Sequence, residues 1–274
     1  MSVLITVDDL AAALAGPTPP VVLDVRWTLG GPPGHGEYLG GHLPGAVYVD
    51  LDTELAGHGE PTDGRHPLPD VDDLERAARR WGIEPGSAVV AYDGGGNLAA
   101  ARAWWLLRWA GLTDVRLLDG ALPAWVAAGL PLTVGDVVPA PGRVSLAEGA
   151  LPTLTPAGAG AFDGVLLDAR APERFRGETE PIDPKAGHIP GAVSAPTGDN
   201  LTPDGHFRTP SELRDRFTAL GVGDGKAVGA YCGSGVTAAH QVAALTIAGF
   251  DDAALFPGSW SQWSNHDLPV ATGD

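Results

Sequence analysis

The chain is poor in sulfur and in lysine: among 274 residues there are one cysteine, Cys232, one methionine, and two lysines, Lys185 and Lys226. A single cysteine excludes an internal disulfide framework. No cluster of Cys and His has structural zinc spacing, so the sequence predicts no metal and no bound cofactor. Clustered positive charge is also missing. A formal net charge of −17 argues against nucleic acid and against anionic membrane surfaces, both of which need grouped Lys and Arg. No apolar run approaches the ~20 residues of a membrane span. The start, MSVLITVDDL, lacks the basic region and apolar core of a secretory signal, so a cytoplasmic, monomeric protein is expected.

What is present is glycine, proline and strand-helix alternation. With 44% hydrophobic and 19% charged residues the chain reads as globular, and its length favours two domains. Thr6 is expected to cap a helix over 7–14, with Asp9 three residues on. Strands are expected at 21–26, 88–92 and 115–118, with helices at 71–81 and 98–110. A long Gly and Pro loop separates the first strand from the phrase GHLPGAVYVDLD at 41–52.

The same events then recur. LLDAR (166–170) repeats VLDVR (22–26), GHIPGAV (187–193) repeats GHLPGAV (41–47), and FPGSWSQW (256–263) repeats LDGALPAW (118–125). The offsets are 168 − 24 = 144, 188 − 42 = 146 and 263 − 125 = 138, differing only by loop length. The fold class is therefore α/β: two copies of one unit, each a mostly parallel sheet flanked by helices on both faces. The domains are placed at 1–134 and 151–274, joined by a Gly, Pro and Ala rich linker at 135–150.

The second copy carries the chemistry. In 230–246, AYCGSGVTAAHQVAALT, a β-type run empties into a glycine-spaced loop and then into an alanine-rich helix. Cys232 falls where the strand ends. Gly233 and Gly235 let successive N–H groups, from Gly233 through Ser234, Val236 and Thr237, point inward as an anion-holding nest. The dipole of the helix aims at the same spot, an arrangement that lowers a cysteine pKa from about 8.5 to ~3.5–7.5. Cys232 is then a nucleophile; the other reading is a small buried hydrophobe. At an offset of 232 − 93 = 139 the first copy has Asp93 and no thiol.

The duplicated GH[LI]PGAV phrase, the DAR strand, CGSGVTA and the terminal GSW with a further Trp resemble the two-domain rhodanese superfamily of sulfurtransferases across about 21–263. The resemblance implies two rhodanese-like domains, the first without a catalytic cysteine. It implies transfer of a sulfane sulfur through a Cys232 persulfide to a thiol or cyanide acceptor, such as a small thiol or a thioredoxin-like protein. It implies that Ser234 acts in relay with Asp52 and His66 of the first half. Alone, those two read as a solvated loop aspartate and a surface histidine. It also matches Arg174, in APERFRG, to the arginine that pairs with the donor's anionic group.

Within the family, the uncharged CGSGVTA resembles 3-mercaptopyruvate sulfurtransferases, whereas thiosulfate enzymes carry basic residues after the cysteine. The chain departs from that pattern before GHIPG, where TEPIDPKAG places Asp183 near the position of a second arginine, with Lys185 nearby. The alternatives are a thiosulfate sulfurtransferase and a non-catalytic sulfur carrier or sensor. A cysteine phosphatase is excluded by Ala238, which stands where an arginine must hold phosphoryl oxygens. His42, His188, Arg26 and Arg170 occur in both halves and read as structural.

Overall fold

The computed structural model describes residues 2–223 and 225–274. The chain divides into two compact units: residues 1–56, 69–150 and 203–207 form the first, and 57–68, 151–202 and 208–274 the second. This differs from the simple halves expected from the repeat. The segment 57–68, which carries His66, clusters with the cysteine-bearing unit. The stretch 135–150 clusters with the first unit, because Gly142, Val144, Ala147 and Ala150 donate backbone N–H groups to Arg79, Ile83, Ala110 and Trp109. Proline and glycine content signalled a linker, yet these hydrogen bonds hold it to one unit.

In the first unit the strands β1 (Leu4–Ile5), β2 (Val21–Asp24), β3 (Val47–Tyr48), β4 (Val89–Tyr92) and β5 (Val115–Leu118) form a parallel sheet in the order β1-β5-β4-β2-β3. Every residue of β4, VVAY, is buried, the unbroken apolar run expected of a strand covered on both faces. The helix Val7–Leu14 is capped by Thr6, whose hydroxyl accepts the Asp9 N–H at 3.1 Å. Asp70 caps Val71–Arg80 in the same way, and Ala100–Trp109 is buried almost all round. The stretch read as a Gly and Pro loop contains a further helix, His35–Gly40. Its buried Tyr38 donates its hydroxyl to the Ala46 carbonyl at 2.9 Å.

In the second unit β6 (Gly164–Asp168), β7 (Val193–Ser194), β8 (Ala227–Tyr231) and β9 (Ala254–Leu255) form a parallel sheet in the order β7-β6-β8-β9. The helix Val236–Ile247 follows β8, so Cys232 lies beyond the carboxyl end of a central strand, where ligands bind in such folds.

The repeated phrases do the same structural work twice. Arg26 forks onto Asp24 (Nη2 to Oδ2, 2.7 Å) and donates to the Gly41 carbonyl; Arg170 forks onto Asp168 (2.6 Å) and donates to the Gly187 carbonyl. His42 Nδ1 lies 3.0 Å from the Tyr38 carbonyl and His188 Nδ1 2.8 Å from that of Phe175. Trp125 and Trp263 each donate an indole N–H to a proline carbonyl at 2.9 Å, from cores built on Val90 and Leu118 or on Leu166 and Phe256.

Candidate active site

Cys232 is buried, 2% exposed. Its backbone is fixed from both sides: its N–H donates to Ser259 Oγ at 3.0 Å, and its carbonyl accepts the Trp260 N–H at 3.0 Å. Ser259 in turn donates to the Phe256 carbonyl and holds φ at +51°, a left-handed conformation uncommon outside glycine. The GSW phrase is thus the clamp that seats the cysteine. Of the expected nest, Gly235 is at φ +81° and donates its N–H to Cys232 Sγ at 3.1 Å. Val236 and Thr237 open the helix behind it, with Val236 buried and Thr237 half-buried.

Ser234 is buried and its Oγ lies 2.7 Å from His66 Nδ1, so the structure brings these two expected residues together. Asp52 belongs to the first unit, where its carboxylate accepts the Trp27 indole N–H at 3.0 and 3.1 Å.

Arg174 is beside the loop as expected: a Cβ added at Gly233 would stand 3.6 and 4.0 Å from its two Nη atoms. A second guanidinium stands closer. Arg65 Nη2 lies 3.1 Å from the same point, so Gly233 is small because two arginines occupy the space above it. The phrase RHPLP carries this arginine directly before His66. Nothing in the sequence pairs residue 65 with 233.

The two arginines belong to a charge cluster. Arg174 forks onto Glu180 (2.7 and 2.9 Å from Nη2) and reaches Asp183 Oδ2 at 3.3 Å. Arg65 Nη1 pairs with Asp183 Oδ1, and Arg170 Nη1 lies 3.5 Å from Glu180. Burial pushes the Asp183 carboxyl up, against the pull of Arg65. Asp183, which the sequence placed where a second arginine was expected, is the partner of one supplied by another segment. Lys185 is directed elsewhere, donating to the His266 carbonyl at 2.7 Å. Trp260 is fully buried in the core with the Arg170 guanidinium 4.5 Å above its ring.

In the first unit the equivalent loop is closed by a carboxylate. Asp93 is buried and accepts four backbone N–H bonds, from Gly95, Asn97, Ala99 and Ala100, at 2.8–3.2 Å. Burial pushes its carboxyl up to about 6, although those four donors pull the other way.

A buried cysteine lies at a strand end, hydrogen-bonded through sulfur by a glycine loop at a helix N-terminus, with two arginines beside the next residue, an arrangement chemically suited to a thiol nucleophile. Comparison with known proteins agrees. The family described as "Rhodanese-like domain" matches residues 6–128 and 156–266. SseB of Mycobacterium tuberculosis, provisionally named a thiosulfate sulfurtransferase, is 49% identical over 277 residues, covering 99% of this chain and 97% of that protein. A Pseudomonas aeruginosa protein, provisionally named a 3-mercaptopyruvate sulfurtransferase, is 48% identical over 280 residues, covering 99% and 98%. The crystal structure of the 3-mercaptopyruvate enzyme SseA from Escherichia coli superposes with a TM-score of 0.84 at 31% identity, covering 95% of this chain and 99% of that one.

The site and fold define a sulfurtransferase acting on small sulfur donors. The chain belongs to the rhodanese-like domain family, with one such domain in each half. No helix among the described residues is long and apolar enough to cross a membrane.

Proposed function

We propose that the protein moves the sulfur of 3-mercaptopyruvate to a thiol acceptor through a persulfide on Cys232. The observation that carries this reading is the Gly235 N–H on Cys232 Sγ in a loop without charged side chains, with Arg174 beside Gly233 to take the donor's carboxylate. The Cys232 thiolate attacks the donor sulfur; an S–S bond forms, the C–S bond breaks, and the enolate of pyruvate leaves and takes the proton from sulfur. An acceptor thiolate then attacks the outer sulfur of the persulfide and regenerates Cys232. Backbone N–H groups hold the anionic sulfur at each stage. Ser234, bonded to His66, polarises the donor carbonyl or carries the proton. The acceptor is a small thiol or a thioredoxin-like protein, and the protein works in the cytoplasm as a monomer.

The second reading is thiosulfate as donor. Two guanidiniums within 4 Å of the Gly233 Cβ position suit a doubly charged anion, and the Mycobacterium tuberculosis relative carries that name. Steady-state transfer to a small thiol, with each donor, decides. The expected result is a higher kcat/KM for 3-mercaptopyruvate, lost to background in Cys232→Ser with the fold intact. A preference for thiosulfate reverses the choice of donor, and no turnover with either leaves a sulfur carrier.

A further inference from the structure

Asp183 holds two arginines at once, one on each carboxylate oxygen: Arg65 Nη1 on Oδ1 and Arg174 Nη2 on Oδ2. Both guanidiniums border Gly233, the residue after the nucleophile. A carboxylate held by two guanidiniums that border Gly233 presents the same charge and bidentate chemistry as the carboxylate of an anionic donor. Arg65 also has hydrogen-bonding capacity in reserve, because its Nε and Nη2 are buried and have no partner. Arg65 and Asp183 line a cavity of about 440 Å³ whose wall also includes His58, Glu60, Ser261 and Asn265, so space for a small molecule adjoins this ion pair.

The charge balance says what must happen when an anion enters. Arg65, Arg170 and Arg174 face Asp168, Glu180 and Asp183, three charges of each sign. A further anion would be an unpaired buried charge unless one carboxylate gives way. Asp168 is locked by the fork of Arg170, and Glu180 by the fork of Arg174 and by the N–H groups of Ile182 and Asp183. The contact of Asp183 to Arg174 is the longest of that arginine's hydrogen bonds, at 3.3 Å against 2.7–3.2 Å to Glu180. Asp183 is the carboxylate that can leave, and burial already disfavours its charged form.

We propose that Asp183 is an internal occupant of the donor-anion seat, and that an anionic donor binds by displacing it and taking both Arg174 and Arg65. Arg65 is then the second donor-binding arginine, delivered by the segment 57–68, and Asp183 sets how strongly a donor must bind to gain entry. This rests on the reading that the donor is an anion bound beside Gly233, but it can be tested without turnover.

The test uses inert anions, pyruvate and sulfate, as protectors of Cys232 against alkylation by iodoacetamide in the full-length protein, with thermal melts as a check on folding. Asp183→Asn is expected to lower the concentration of either anion needed for half-protection at least fivefold, and Arg65→Gln to raise it at least fivefold. The double variant should lose the gain of Asp183→Asn, since the freed guanidinium is gone. Asp183→Ser serves if the amide variant melts early. Unchanged or weaker protection in a folded Asp183 variant overturns the proposal, as does Arg65→Gln with wild-type protection. If the predicted shifts appear but the wild type turns over neither 3-mercaptopyruvate nor thiosulfate, the seat stands and the donor assignment falls.

Discussion

At the scale of single residues, each side chain near Cys232 is held by something identifiable. Ser259 fixes the cysteine backbone, Gly235 donates to the sulfur, and His66 meets Ser234 at 2.7 Å. The Ser234 hydroxyl is buried and its one described partner is His66, so its expected value is in that hydrogen bond. Ser234→Ala is expected to lower kcat/KM on the order of 10²-fold, as loss of a positioned proton-transfer group does, while the melting temperature changes little. Sulfur-transfer assays with parallel melts check this; activity within twofold of wild type would remove Ser234 from the mechanism. Sequence pattern singled out the cysteine, and the family resemblance the serine and Arg174, as candidates. It passed over Arg65, because an arginine 167 residues from the cysteine carries no mark of what it touches.

At the scale of elements, the loop after β4 and the loop after β8 solve one problem with different atoms. Both end a central strand and present inward N–H groups that need an acceptor. In one the acceptor is the Cys232 sulfur, in the other the Asp93 carboxylate with four N–H bonds. The carboxyl of Asp93 takes up a proton near pH 6 when folded, against about 3.9 for an aspartate in an unfolded chain. Its folded pKa is the higher one, so its contribution to stability is fully present below about pH 4 and is lost as pH rises to about 6. Relative to Asp93→Asn, the wild type should therefore lose stability across that window and run parallel above it. Denaturant titrations from pH 4 to 8 check the difference, and a wild-type gain over the window would show the four N–H groups outweighing burial. The repeat made this loop pair legible in advance, since Asp93 aligns with Cys232 at the same place in each copy.

At the scale of the whole molecule, duplication in sequence and division in space do not coincide. Segment 57–68 lies in the first half of the chain yet joins the second unit, where Arg65 N–H donates to Ser261 Oγ and Thr62 accepts from Gln262 and lies 3.0 Å from His266 Nε2. That segment delivers both Arg65 and His66. A fragment of residues 151–274 therefore lacks them, and is expected to transfer sulfur at under 1% of the full-length rate, measured at equal concentration. Activity within tenfold of the full chain would show that neither residue matters.

The sequence by itself determined the α/β class and the twofold repeat, and its duplicated motifs carried the resemblance to the family and singled out Cys232 as the candidate nucleophile. The class and the repeat follow from hydrophobic runs, glycine spacing and recurring phrases, and the family from motif resemblance, all of which are local along the chain and survive without coordinates. Only the tertiary structure decided which charges surround that nucleophile. Asp183 fell near the place where the family resemblance implied an arginine, and a cation beside it came from residue 65, because a salt bridge is specified by distance in space and a short segment can be recruited by whichever unit offers it hydrogen bonds. The same reason applies to the stretch 135–150, whose composition reads as a linker but whose backbone is bound to Arg79, Ile83 and Trp109.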